Sequence, residues 1–247
     1  MTTQLIRRED QADGQFNGGA VLEKRPVFYQ QAATFPYSNL FYWAHAWSEK
    51  GSTIGLHPHQ GFEILSFVLK GSIEHYDTKN KTWLSLKAGD VQIIRSGNGI
   101  SHAEKLLPGT SIFQIWFDPN LEQSMVKPAS YDDYVGENFP VEKKNGISTV
   151  VFKGEGAPIA MDTEGVNIKK LILEKGKHQL TLAPTSIYSI FVIAGTLNIG
   201  DLALNKEDFI KIEDSDTMDL ICIEECTLFM IESPVRTSYR TYVESRL

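Results

Sequence analysis

The 247-residue chain is 42% apolar and 22% charged, with 19 glycines and 10 prolines spread along it, which is enough apolar side chain for a packed core and excludes wholesale disorder. The formal charge of −7 repels phosphate backbones and anionic lipid surfaces, so direct binding to nucleic acid or membrane is not expected. No stretch reaches the roughly 18 unbroken apolar residues of a membrane span, the first ten residues carry no apolar core after their charges, and the expected compartment is the cytoplasm.

Helical periodicity is nearly absent. Short alternating or β-branched runs recur between Gly, Asn and Asp, and in chain order they predict strands over Leu40 to Trp47, Glu63 to Leu69, Ser72 to Tyr76, Trp83 to Leu86, Val91 to Ile94 and Ser111 to Phe117. Asp118 to Gly146, with three prolines, mixed charges and no sustained period, reads as a linker. A second series follows: Ile168 to Leu173, Ser186 to Ile193, Thr196 to Ile199, Asp208 to Ile212, Met218 to Ile223 and Thr227 to Ile231. The chain is therefore expected to be all-β, built from sandwiches or barrels, with one unit over residues 1–125 and a linker plus second unit over 126–247.

The two series match locally. Phe67-Val-Leu-Lys-Gly71-Ser-Ile parallels Phe191-Val-Ile-Ala-Gly195-Thr-Leu, and the acidic turn at Asp90 parallels that at Asp208, as in a duplicated barrel. The two cysteines, Cys222 and Cys226, lie in the second series. Four residues of extended chain separate their Cα atoms by about 13 Å, too far for a disulfide unless Glu224-Glu225 turns tightly, so they read as core or strand-end thiols of a reducing compartment.

Five of the six histidines fall in the first series. His57-Pro58-His59 and His102-Ala103-Glu104 each place two ligand-type side chains on one face of a strand, because residues two apart point the same way. Pro58 holds His57 extended, and the glycines of Ser96-Gly-Asn-Gly99 permit the sharp turn that precedes His102. Three imidazoles and one carboxylate suit iron, nickel, copper, manganese or zinc. His45, His75 and His178 read as ordinary strand histidines.

His57-Pro-His-Gln-Gly-Phe-Glu63, Gly71-Ser-Ile-Glu-His-Tyr-Asp77, Gly89-Asp-Val-Gln92 and Gly97-Asn-Gly-Ile-Ser-His-Ala-Glu104 together resemble the pirin family of the cupin superfamily, densely over about residues 50–117. The resemblance implies a bicupin: two tandem cupin-type β-barrels of the double-stranded β-helix or jelly-roll kind, the first binding one divalent metal through His57, His59, His102 and Glu104. It implies a second barrel that has lost its site. Aligning the glycine turns sets Thr181 and Ala183 opposite His57 and His59, and aligning the acidic turns sets Leu220 and Cys222 opposite His102 and Glu104. Glu63 competes with Glu104 for the carboxylate role, since the general cupin pattern takes its acid from the first motif; Glu104 is preferred because it shares parity with His102.

Three neutral imidazoles, one carboxylate and a divalent ion carry a net +1, which attracts anions. Iron(II), with open octahedral positions, suits the chemistry of quercetin 2,3-dioxygenase-like relatives better than zinc, and the resemblance implies a flavonol-like substrate, dioxygen, and Glu104 as proton acceptor. It implies equally a non-enzymatic alternative, a metal-dependent regulator that contacts a transcription factor or metabolic enzyme. Phe62, Phe67, Ile93, Phe113 and Trp116 are either walls for a planar substrate or barrel core, with core the default.

Overall fold

The structure is a computed structural model that describes residues 1–29 and 34–246. It is built almost wholly of antiparallel strands and divides into two compact units. The histidine-bearing unit comprises Gln11–Asn138, Met161–Glu164 and Thr237–Leu247, and the other comprises Met1–Asp10, Phe139–Ala160 and Gly165–Arg236.

In the histidine-bearing unit a seven-stranded sheet runs in the order Ser130–Tyr134, Val91–Arg95, Glu63–Lys70, Thr110–Phe117, Leu40–Ser48, Val21–Val27, Ala12–Phe16. A four-stranded sheet runs Ser52–His59, Ile100–Leu106, Ser72–Asp77, Trp83–Lys87. The two sheets face each other across an interior in which Ser66 of the first donates a hydrogen bond to Glu104 of the second, 2.9 Å away.

That interior is layered, and the period of two along each strand sets the layers. Alternate residues on neighbouring strands read Ile64-Ser66-Val68, Ile112-Gln114-Trp116, Ile73-His75-Asp77 and Ile100-His102-Glu104-Leu106. One end is apolar, a cluster of Val21, Ala46, Val68, Ile73, Leu86, Leu106 and Ile112. The other is closed by Ile64, Ile94, Ile100 and Ala129, with Phe62, Trp116 and Tyr131 against them. Between lies a buried polar tier that includes Ser66, His75, Gln92, His102, Glu104 and Gln114.

The second unit repeats this plan strand for strand. Its sheets run Thr2–Ile6, Phe209–Glu213, Ser186–Ala194, Cys226–Pro234, Asn167–Leu173, Ile147–Lys153, Val141–Lys144 and Gly176–Thr181, Thr217–Cys222, Leu197–Ile199, Leu202–Leu204. The expected duplication is thus present as topology. Gly71 and Gly195 close equivalent hairpins at φ +73° and +86°, where a side chain would also run into Thr110 and Cys226 respectively, so both positions require glycine.

Three details differ from the sequence expectation. The stretch read as a linker contributes Ser130–Tyr134 to one sheet edge and Val141–Lys144 to the other; edge strands with exposed faces carry charges instead of an apolar period. The strands Thr2–Ile6, Ala12–Phe16, Val21–Val27, Ile147–Lys153 and Gly176–Thr181 have no counterpart among the predicted runs, and Pro26 sits where the register of Val21–Val27 against Leu40–Ser48 slips, the place a sheet tolerates proline. Finally, the division is not a single cut near residue 125, because Thr2–Ile6 pairs with Phe209–Glu213 and the C-terminal segment belongs with the histidine-bearing unit. Both cysteines are buried free thiols, and burial pushes the Cys222 thiol up to about 12. No helix among the described residues is long and apolar enough to cross a membrane.

Asp118 fastens the C-terminal segment within its unit. Its carbonyl accepts the Tyr239 hydroxyl at 2.6 Å and its carboxylate accepts the Tyr242 amide, while the side chain is buried and Oδ1 has no partner among the described residues. Burial pushes this carboxyl up to about 7 from an ordinary 3.8. The folded state therefore holds a proton that the unfolded chain releases near pH 4, and Asp118 opposes folding increasingly as the pH rises towards 7, with a slope approaching about 1.4 kcal/mol per pH unit. Asp118→Asn should match wild type near pH 4 and be more stable than it at pH 8. Urea melts across that range measure the difference, and an unchanged difference would show that the carboxyl does not titrate there.

Candidate metal centre

The strands Ser52–His59 and Ile100–Leu106 bring the two histidine motifs together, with His57 directly opposite His102 and His59 opposite Ile100. Between His102 and Glu104 the register slips: Glu104 faces Ile54, so Ser52–His59 carries one extra residue around Gly55-Leu56. The displaced backbone has a use, because Gly55 offers its carbonyl to His57 Nδ1 at 2.8 Å. Pro58 points outward, as its place between two inward histidines requires.

The three rings converge. Ring centroids are 4.4 Å apart for His57–His102 and 4.8 Å for both His57–His59 and His59–His102. One ligand-type nitrogen from each lies within 4.8 Å of the others, and this is a grouping that could hold a metal ion. With Nδ1 of His57 donating to Gly55, its Nε2 carries the lone pair. Nε2 of His59 and Nε2 of His102 are buried with no hydrogen-bond partner among the described residues.

Burial, reinforced by the neighbouring imidazoles, lowers His59 to about 3 and His102 to about 2. Both rings are neutral at physiological pH. A neutral imidazole is the form that binds a metal, so these two have no proton to shed.

The two candidate carboxylates part company. Glu104 shares the interior face with His102, is 1% exposed, and accepts from Ser66 Oγ at 2.9 Å and Gln114 Nε2 at 2.6 Å. Its charge acts on His59 and His75, although its oxygens lie outside the three-nitrogen group. Glu63 is on the opposite parity from Ser66. Its oxygens accept the amides of Asp162 and Thr163 at 2.7 and 2.9 Å and the Thr163 hydroxyl at 2.5 Å, so it anchors the Met161–Glu164 segment.

Of the candidate wall residues, Phe67, Ile93 and Phe113 are core. Trp116 stands edge-on to His59 with centroids 4.8 Å apart and leads into a half-buried aromatic group with Phe62, Phe41 and Tyr242. His45 packs against Trp47 and Phe113, and half-buried His178 bonds the Glu174 carbonyl, as ordinary strand histidines do. His75 is different: it is fully buried and its Nε2 lies 3.2 Å from His102 Nδ1. The same spacing rule that picks out the candidate ligands also reaches it, since His75-Tyr-Asp77 is another same-face pair of ligand-type residues.

A family model described as pirin matches residues 21–117. Residues 21–117 thus form a pirin-type domain. It is 34% identical over 106 residues to pirin-like protein 2 of Arabidopsis thaliana, a match that covers 42% of this chain and only 32% of that relative. Against quercetin 2,3-dioxygenase of Escherichia coli strain K12 it is 27% identical over 191 residues, covering 75% and 78% of the two chains. In structure it resembles the bacterial pirin YhhW of Escherichia coli, solved in complex with nickel(II), with a TM-score of 0.76 at 20% identity over 94% and 99% of the chains. The fold is that of the two-barrel cupin proteins.

The ladders of the second unit correct the expected equivalences. Met218 pairs with Leu180 as His102 pairs with His57, and Leu220 pairs with Ile199 as Glu104 pairs with His75. The counterparts of His57, His59, His102 and Glu104 are therefore Leu180, Leu182, Met218 and Leu220, a shift of one or two residues from the turn-based alignment, and all four belong to or pack on an apolar cluster. The site is absent there because the tier that holds it in one barrel is hydrocarbon in the other.

The buried unpartnered nitrogens and the adjacent carboxylate fit a mid-row divalent ion. An unpartnered buried polar atom costs about 1–3 kcal/mol, which metal binding would relieve. His59→Leu, which copies the residue at the equivalent place in the second barrel, should leave the thermal midpoint of metal-free protein unchanged or higher while abolishing the rise that added nickel(II) or iron(II) produces. Melts with and without chelator test both halves. A variant that still gained stability from metal would show that His59 is not a ligand.

Proposed function

We propose that the protein is a metal-dependent dioxygenase that opens the ring of a flavonol such as quercetin with dioxygen, releasing carbon monoxide. The reading rests on one observation above all: three imidazoles converge beside a buried acid and next to an aromatic wall. The quercetin 2,3-dioxygenase relative makes that chemistry the one to test first.

His57, His59 and His102 would hold the ion, with Glu104 as the fourth donor, and iron(II) is the ion such a set serves best for oxygen chemistry. Bound there, it supplies Lewis acidity toward the 3-hydroxyl and neighbouring carbonyl of the substrate and redox capacity toward dioxygen. The protein's own groups do the rest. Trp116 and Phe62, half-buried beside His59, give a planar polyphenol an apolar surface to lie against and keep water from the reacting face. Glu104 takes the proton of the 3-hydroxyl on its carboxylate, and the bonds from Ser66 and Gln114 hold that carboxylate in place as it does so.

Iron-loaded protein should consume quercetin aerobically and evolve carbon monoxide, and His57→Ala should lose at least 100-fold in rate. Absence of turnover with iron, nickel, copper and manganese alike, in protein shown to bind them, would replace this reading with a non-enzymatic role for the same centre. The carboxylate assignment has its own test. Glu104→Gln should weaken metal binding by about 10–100-fold, whereas Glu63→Gln should leave affinity near wild type and lower stability through the lost Asp162 and Thr163 contacts; chelator competition and melts separate the two, and the reverse order would reassign the ligand.

A further inference from the structure

His75 sits in the polar tier directly across the ladder from Glu104, fully buried on Ser72–Asp77. Its Nε2 and His102 Nδ1 are 3.2 Å apart, close enough for a single shared hydrogen. Two arrangements of that hydrogen exist. If His75 donates it, Nδ1 of His102 is the acceptor and Nε2 of the same neutral ring must carry the proton, which blocks it as a ligand. If His102 donates it, Nε2 keeps its lone pair and faces the other two imidazoles. Only the second arrangement is compatible with a metal at the three-histidine group.

The other two rings are held by different means. His57 is oriented by the main chain through Gly55, and His59 lies against Trp116. His102 alone depends on a titratable side chain from another strand. The second barrel supplies an internal comparison: where His102 becomes Met218, the ladder equivalent of His75 is Ile199, so the pair is lost together with the ligands. A histidine kept merely to fill space would have no reason to follow the metal site.

We propose that His75 is a positioning residue for the metal centre: its Nε2 accepts the Nδ1 proton of His102 and thereby fixes the tautomer and ring plane that present His102 Nε2 to the ion. The inference rests on the three-histidine group being the metal centre. His75 touches neither metal nor substrate, and its influence runs wholly through His102.

Long-range nitrogen–proton NMR of the metal-free, full-length wild type should show His102 as the Nδ1–H tautomer. His75→Phe, which keeps the bulk and removes the acceptor, should give a mixture with Nε2–H, bind cobalt(II) and nickel(II) about 10–100-fold more weakly by chelator competition, and shift the visible spectrum of the cobalt protein. His75→Gln, whose amide oxygen can stand where Nε2 stood, should restore most of the affinity and the spectrum. A purely structural role would change the metal-free melting point alike in both variants and leave the spectrum alone. The proposal is overturned by an Nε2–H tautomer at His102 in wild type, or by His75→Phe binding metal as wild type does with the same spectrum. Wild type that binds none of cobalt, nickel or iron would instead remove the metal reading, and the inference with it.

Discussion

Holding polar atoms out of water inside a barrel is the constraint on which the rest of the histidine-bearing unit depends. Unpaired imidazole nitrogens and a carboxylate are expensive to bury, and a β-barrel offers only side chains from facing strands to offset that cost. Here the offset is a whole tier. Ser66 and Gln114 reach Glu104 from one sheet, His75 reaches His102 from its neighbour in the other, and Gly55 presents a carbonyl to His57 because the strand carries one residue too many. Apolar clusters flank the buried members of the tier, which strengthens the electrostatics among them.

The second unit shows the same architecture without that expense. Strand order, hairpin glycines and the acidic turns at Asp90 and Asp208 recur; each aspartate accepts the main-chain amide three residues before it, of Lys87 and Asn205. What differs is the middle of the barrel, where Leu180, Leu182, Met218, Leu220 and Ile199 replace ligands and their support together. The turn chemistry recurs in both halves, and the interior decides which half carries the polar histidine centre. Shape and function are thus written in different residues of the same repeat.

This separation explains what could be read in advance. Buried central strands such as Glu63–Lys70 and Ser186–Ala194 advertise themselves by unbroken apolar runs, and the paired motifs around His57 and His102 do so by two-residue spacing. Edge strands such as Ala12–Phe16 and Val141–Lys144 do not, because pairing on one side and solvent on the other leave no period to detect. Parity with His102 favours Glu104, but Glu63 shares parity with His57 and His59, so spacing leaves both in play. Their separation depends on which way the chain leaves Gly61, at φ +83°, and on the distant Asp162-Thr163 segment that claims Glu63, neither of which is a local property. His75 illustrates the opposite case: the spacing rule applies to it, but a single histidine on a strand is usually inert, and only the contact with His102 changes that reading.

Charge balance gives an argument for a cation that is independent of family likeness. Glu23 and Glu104 are buried carboxylates close enough to feel one another. Glu23 is matched, since Arg25 donates to it at 2.8 Å and stacks its guanidinium over Phe28 with 4.6 Å to the ring centroid, while the Tyr42 hydroxyl bonds its other oxygen. Among the described residues Glu104 is hydrogen-bonded to the neutral groups of Ser66 and Gln114, and burial lowers the basicity of the neighbouring His59, His75 and His102. A carboxylate in that setting is stabilised by whatever positive charge the site can recruit, and the three converging imidazoles form a group that could hold a metal ion. The depressed basicity of His59 and His102 and the buried acid beside them act in the same direction: burial disfavours a proton on these rings and leaves the acid's charge to be balanced by another cation.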